Sequence, residues 1–113
     1  MKLNEVKEIL SAEVLALEEK MDKEVFSAFA CDLMSDVLAF VEDQPLLLTG
    51  LINPQVVRTA EMMDMKAIVF VRGKMPTEEI IDLAKDANIV LMSTEHTMYY
   101  SCGLLYKSGL HMN

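Results

Sequence analysis

The sequence of 113 residues has little cysteine and little positive charge. Its two cysteines, Cys31 and Cys102, form neither a CxxC pair nor a disulfide framework, which is typical of a reduced protein. Its 10 basic residues face 18 acidic ones, for a net charge of −8, and this balance disfavours nucleic acid and anionic membranes as partners. No apolar run reaches the roughly 18 residues that cross a bilayer, and the first ten residues alternate in charge instead of forming the apolar core of a signal peptide. We therefore expect a cytoplasmic protein.

Motifs for common cofactor and phosphate chemistry are also missing. Neither GxxxxGK[ST] nor GxGxxG occurs, so phosphoryl transfer by a P-loop and a standard dinucleotide fold are not expected. The two histidines, His96 and His111, lie 15 residues apart, and no spacing matches a metal site. Cys102 and His96 would lie on different faces of a helix, which favours core packing for Cys102 over nucleophilic catalysis. We predict no metal, no cofactor and no catalytic residue.

What the sequence does contain is a regular alternation of short apolar runs and helical stripes. The runs at 46–48, 67–71 and 89–92 lack polar alternation and are too short for helices, which is typical of strands buried on both faces. The segments after them show helical periodicity, the last with Met98, Cys102, Leu105 and Tyr106 as its predicted stripe. This pattern predicts an α/β fold, a mostly parallel sheet flanked by helices, with residues 1–113 as a single domain.

Local signals mark where the helices begin and end. Asn53 with Pro54, and Thr77 after Pro76, are predicted helix starts. Thr94 is predicted to cap the last helix, and Gly109 to end it. In the front third, the sequence predicts a helix at 3–10, strands at 14–17 and 25–30, and a helix that Asp32 caps and that reaches Val41.

Polar residues gather where the predicted strands end. In parallel sheets, ligands bind at the carboxyl ends of the strands, where helix N-termini offer free N–H groups. The residues predicted to bind a ligand there are Asp32, Ser35, Thr49, Gly50, Asn53, Arg72, Gly73 and Thr94, with Asp36, Lys74 and Ser93 at the same edge. Arg72 would hold a phosphate or carboxylate by its guanidinium fork, Asn53 and Thr49 would donate to the ligand, and Asp32 and Ser35 would shape the opening. The alternative is that all these residues are only caps and turn formers.

Three functions remain open from the residues alone. The first is a sensor that binds a small anionic ligand or a protein partner. The second is a structural interaction module that docks through methionines 62, 63 and 65, and the third is a small hydrolase using Asp32, Ser35 and Asp36. The high apolar content of a small chain also predicts a homodimer, with Leu38, Phe40, Val41 and the stripe at 98–106 as candidate contacts.

Several segments resemble the stand-alone DRTGG-domain family, although the five-letter string itself is absent. They lie at 29–39, 48–50, 53–55, 67–74 and 106–110, and the most specific is Asp-Leu-Met-Ser-Asp-Val at 32–37. The layout is similar to the N-terminal domain of HPr kinase/phosphorylase without its kinase domain, and the resemblance implies the α/β fold which that domain shares with the N-terminal domain of MurF. It also implies a non-catalytic regulatory role. Family members are attached to CBS-domain pyrophosphatases, in a region controlled by adenine nucleotides, and stand-alone copies accompany iron-only hydrogenase genes.

Overall fold

The structure, a computed structural model, describes residues 1–111, which form a sheet covered by helices on both faces. The strands are β1 (Glu13–Ala16), β2 (Ala28–Ala30), β3 (Leu46–Thr49), β4 (Ala67–Phe70) and β5 (Val90–Ser93). The helices are α1 (Leu3–Leu10), α2 (Met34–Phe40), α3 (Pro54–Met62), α4 (Glu78–Asp86) and α5 (Met98–Lys107), with a single 3₁₀ turn at Glu18–Lys20. The strand order is β1-β5-β4-β3-β2, and every neighbouring pair except β1 and β5 is parallel. The predicted α/β fold is confirmed.

The three central strands are buried because both of their faces are covered. Successive side chains point to opposite faces of a strand, so Leu46 and Leu48 pack under α1 and α5, whereas Leu47 packs under α2, α3 and α4. All residues of β3, β4 and β5 are buried. This arrangement explains why these strands appear in the sequence as continuous apolar runs.

The front third follows the predicted elements with two differences. The strand predicted at 14–17 is β1, shifted by one residue, and it lies antiparallel to β5 at the edge of the sheet. The strand predicted at 25–30 is confirmed only at Ala28–Ala30. Val25 instead pairs with the amino terminus: its N–H donates to the carbonyl of Met1 at 2.8 Å, and the terminal ammonium donates back to the carbonyl of Val25 at 2.9 Å.

Most of the predicted helix boundaries are confirmed. The Asn53 side chain accepts from the N–H of Gln55 at 2.8 Å, and that of Thr77 accepts from the N–H of Ile80 at 3.3 Å. Gly109, with φ of +110°, ends α5, and the N–H of Leu110 donates to the carbonyl of Leu105 at 3.0 Å in a Schellman arrangement.

Two predicted caps are wrong. α5 begins at Met98 and not after Thr94, and its cap is Thr97, whose hydroxyl accepts from the N–H of Tyr100 at 3.2 Å. α2 begins at Met34, two residues beyond Asp32, and Leu33 occupies the cap position without a side-chain hydrogen bond. Asp32 and Thr94 are instead bonded to distant parts of the chain, as described below.

Some predicted burial is also wrong. In the predicted stripe of α5, Leu105 is buried, Met98 and Cys102 are partly exposed, and Tyr106 is 65% exposed. Met62 is exposed but Met65 is 3% exposed, so the methionine cluster does not form one docking face. Within residues 1–111, no helix is both long and apolar enough to span a bilayer.

Candidate functional site

Asp32 is the centre of a hydrogen-bond cluster at the carboxyl edge of the sheet. The parallel order of β2 and β3 places it, in the loop after β2, beside Thr49 and Gly50 at the end of β3. Its Oδ1 accepts from the Thr49 hydroxyl at 3.0 Å and from the Gly50 N–H at 2.7 Å. The Thr49 hydroxyl in turn accepts from the N–H of Leu51 at 3.1 Å. Asp32 therefore fastens the loop after β2 to the end of β3, with charge-assisted hydrogen bonds.

Arg72, which directly follows Val71 at the end of β4, is held by its backbone. It has φ of +59°, a left-handed conformation that is uncommon for a residue with a side chain. Its N–H donates to the carbonyl of His96 at 2.8 Å, and the N–H of Gly73 donates to the carbonyl of Thr94 at 2.8 Å. These two bonds tie the turn after β4 to the segment after β5.

This turn places the Arg72 guanidinium directly over Gly50. A Cβ atom built on Gly50 would overlap the guanidinium, so the absence of a side chain at position 50 leaves the space that Arg72 occupies. Arg72 Nη2 lies 3.9 Å from Asp32 Oδ2, and the two side chains are 44% and 50% exposed. An exposed ion pair of this length contributes little to stability. Within residues 1–111 the guanidinium makes no hydrogen bond, so its donors remain available to a ligand.

Gly73 and Glu95 form the neighbouring part of this edge. Gly73 has φ of +68°, and a Cβ built on it would lie 2.6 Å from Oε2 of Glu95. The positive φ favours glycine here, and a side chain at this position would also have to displace the carboxylate of Glu95. The negative charge of Glu95 makes the edge mixed in sign, so any anion bound at Arg72 has to keep clear of it.

The predicted ligand contacts divide into exposed and buried groups. Asp32, Ser35, Asn53 and Arg72 are exposed. The hydroxyls of Thr49 and Thr94 offer no free donor, because Thr49 donates to Asp32, and Thr94, 2% exposed, donates to the carbonyl of Leu10 at 2.7 Å. The Ser93 hydroxyl is likewise bonded, to the carbonyl of Lys74 at 2.8 Å. The Asn53 side chain remains exposed but already caps α3.

The segment at 95–97 belongs to the site although the sequence analysis did not include it. The His96 carbonyl holds Arg72, and its ring packs edge-on against Tyr100 with centroids 4.8 Å apart. This segment was missed because the last helix was predicted to begin after Thr94, which would have placed His96 inside it. Thr97 was the available signal, because threonine is also a favoured cap residue.

The hydrolase hypothesis finds no support in this geometry. A serine nucleophile needs a base within hydrogen-bond reach, and Ser35 makes no side-chain hydrogen bond within residues 1–111. Asp32 Oδ1 is engaged by Thr49 and Gly50, and its Oδ2 faces Arg72.

Comparison with known proteins finds similarity at the level of structure. No protein-family model and no curated protein sequence matches the chain. Among solved structures, the chain is similar to the CBS and DRTGG domains of the regulatory region of Clostridium perfringens pyrophosphatase, a structure complexed with its activator, diadenosine tetraphosphate. The TM-score is 0.78 at 22% sequence identity, and the match covers 95% of this chain and 46% of the other, so this chain spans about half the length of that one. The likeness supports the DRTGG-like fold that the sequence resemblance implied.

Proposed function

We propose that the protein is a non-catalytic regulatory module that binds a small anionic ligand at the carboxyl edge of its sheet. The observation that carries the proposal is the Arg72 guanidinium, which lies half-exposed over Gly50 and, among the described residues 1–111, makes a single long ion pair. In a chain of net charge −8, a cation with unused donors at the ligand-binding edge of a parallel sheet is best explained by an anionic ligand.

A phosphate group suits this arrangement. A guanidinium presents several N–H donors in one plane and can bind two phosphate oxygens at once. Asp32 need not move when this happens, because its Oδ1 is already bonded to Thr49 and Gly50 and only Oδ2 faces Arg72. The similar pyrophosphatase region was solved with diadenosine tetraphosphate, so an adenine nucleotide is the ligand class to test first.

Isothermal titration calorimetry with diadenosine tetraphosphate, AMP, ADP, ATP and inorganic phosphate tests the proposal. We expect at least one of these to bind, and Arg72→Ala to weaken its binding about tenfold or more, as loss of a charge-assisted bond would. Arg58→Ala is the matched control, because Arg58 is an exposed arginine in α3 and its loss changes the net charge equally.

Gly50→Ala provides a second test, which leaves the charge unchanged. The new methyl group would displace the guanidinium from its position, and we expect weaker binding with the fold retained. Equal losses in Arg58→Ala and Arg72→Ala would show general charge attraction and contradict the assigned site. Absence of binding by every member of the panel would overturn the ligand proposal.

We further propose that the module acts as a homodimer. Two exposed apolar surfaces are candidates for the contact between the copies, one with Leu38 and Phe40 of α2, and one on α5. Val41, the third predicted contact on α2, is only 8% exposed and is not available. Sedimentation equilibrium over a range of protein concentrations tests the dimer, and a single monomeric mass throughout would overturn it.

A further inference from the structure

The outer face of α5 is built of tyrosines around a glycine. All three tyrosines of the chain lie on this helix, where Tyr99 is 90%, Tyr100 53% and Tyr106 65% exposed. The buried residues Ser101 and Leu105 are on the opposite side, which at 3.6 residues per turn places Gly103 at the centre of the exposed face. A hollow of about 380 Å³ beside β2 and one of about 590 Å³ over Gly103 share Cys102 and Tyr106 in their linings. The outer face is therefore a shallow depression with aromatic walls.

Nothing within the described chain requires glycine at position 103. A Cβ atom built there would meet no atom within 4 Å, and the backbone is helical. Glycine in the interior of a helix is less favourable than alanine, so this choice weakens α5 without a benefit to the fold. A second backbone could approach this helix closely only where a residue has no side chain. Close approach of another chain is therefore the remaining reason for a glycine at position 103.

The charge of α5 indicates what approaches it. α5 contains no acidic residue, whereas each of the other α-helices within residues 1–111 carries at least one. A second copy of the chain also has a net charge of −8 and would be repelled from surfaces with carboxylates. Among the helices, α5 is the one that a second copy can meet without opposing carboxylates.

Two tyrosines of α5 lie at equal distances in sequence on either side of Gly103. Tyr100 and Tyr106 are each three residues from Gly103, and Tyr99 and Lys107 are each four residues from it. We propose that α5 packs antiparallel against α5 of a second copy, with the two helices crossing at Gly103. In this isologous contact, Tyr100 of each copy faces Tyr106 of the other, and the Lys107 ammonium lies near the ring of Tyr99.

The proposal rests on the homodimer part of the proposed function and is independent of the ligand. Sedimentation equilibrium of the wild-type chain and two variants tests it. Gly103→Glu introduces a carboxylate at the proposed crossing point, and Phe40→Glu introduces one on α2, where Phe40 is 68% exposed. We expect Phe40→Glu to dimerise as the wild type does. We expect the dimer dissociation constant of Gly103→Glu to be about tenfold higher or more, because like charges would oppose each other at the interface.

Tyrosine fluorescence provides a local readout, because the chain has no tryptophan and its three tyrosines all lie on α5. Dilution of the wild type through the dimer dissociation range should change this emission, and the same dilution of Gly103→Glu should not. Gly103→Ala guards against a folding defect: it should melt at the same temperature as the wild-type monomer or higher, and still dimerise more weakly.

The possible outcomes distinguish the α5 interface from the homodimer itself. A dimer that Phe40→Glu dissociates and Gly103→Glu leaves intact would place the interface on α2, overturning this inference but not the homodimer. A wild-type chain that stays monomeric would overturn both the homodimer and the α5 interface, even if α5 were then found to bind a different protein. The calorimetric test of the ligand is unaffected by either result.

Discussion

Replacing Thr94 by valine removes one hydroxyl from the place where β5 and α1 meet. That hydroxyl donates to the carbonyl of Leu10 at 2.7 Å and links residues 84 positions apart. Thr94 is 2% exposed and Leu10 is fully buried, so no water replaces the lost bond. Valine keeps the volume of threonine, so the change removes this bond, together with the longer one that the hydroxyl accepts from the N–H of His96 at 3.4 Å, without opening a cavity.

The expected cost follows from leaving a buried carbonyl without its partner. Such a loss destabilises a protein by about 1–3 kcal/mol. With a urea dependence of about 2 kcal/mol per molar, a cost of about 2 kcal/mol lowers the unfolding midpoint by roughly 1 M. Urea unfolding followed by far-UV circular dichroism measures this shift.

Thr59→Val is the matched control. Thr59 is also fully buried, but within the described part of the chain its hydroxyl accepts only a 3.4 Å bond, from the side-chain amide of Gln55, which is exposed and can return to water. We expect this variant to lose less than about 1 kcal/mol. If the midpoints of the two variants fall by the same amount, the Thr94–Leu10 bond does not stabilise the fold as reasoned.

Three other variants test the packing of α5. Ser101→Ala should leave stability unchanged or raise it by up to about 1 kcal/mol, because the buried Ser101 hydroxyl has no hydrogen-bond partner within residues 1–111; a lower urea midpoint would contradict this. Thr97→Ala should cost about 1 kcal/mol as a lost helix cap, and an unchanged midpoint would mean that the cap is dispensable. Burial raises the pKa of the Cys102 thiol above its ordinary value of 9.0. As the pH rises, the thiol therefore ionises at a lower pH in the unfolded chain than in the folded one. The stability that this thiol contributes is present below pH 9.0 and is lost as the pH rises through the folded pKa, and Cys102→Ser should make urea midpoints fall less steeply above pH 9.0.

Much of the fold could be predicted because its signals are local. The three central strands are buried on both faces and so are continuous apolar runs, which needs no knowledge of their neighbours. Asn53 and Thr77 bond to N–H groups two and three residues away, and Gly109 supplies a positive φ within its own turn. Interactions of such short range are encoded in neighbouring residues.

The candidate site could be predicted only in outline. The parallel order of the strands indicated that Asp32, Gly50 and Arg72 would meet at one edge, and they do. Their roles did not follow from the pattern. An aspartate before an apolar stripe is typical of a helix cap, but Asp32 lies close enough to Thr49 and Gly50 to accept from both instead. Ser35 was predicted to shape the opening of the site, but its side chain has no hydrogen-bond partner within residues 1–111.

By itself, the sequence determined the apolar strands, most of the helix ends and the acidic charge, because each depends on composition or on residues a few positions apart. Tertiary structure alone decided that β1 runs antiparallel at the edge, that Thr94 bonds to Leu10, and that Arg72 lies over Gly50. These features join segments far apart in the chain. Which distant donor meets which acceptor depends on how the helices and the sheet pack, and no periodicity in a single segment encodes that.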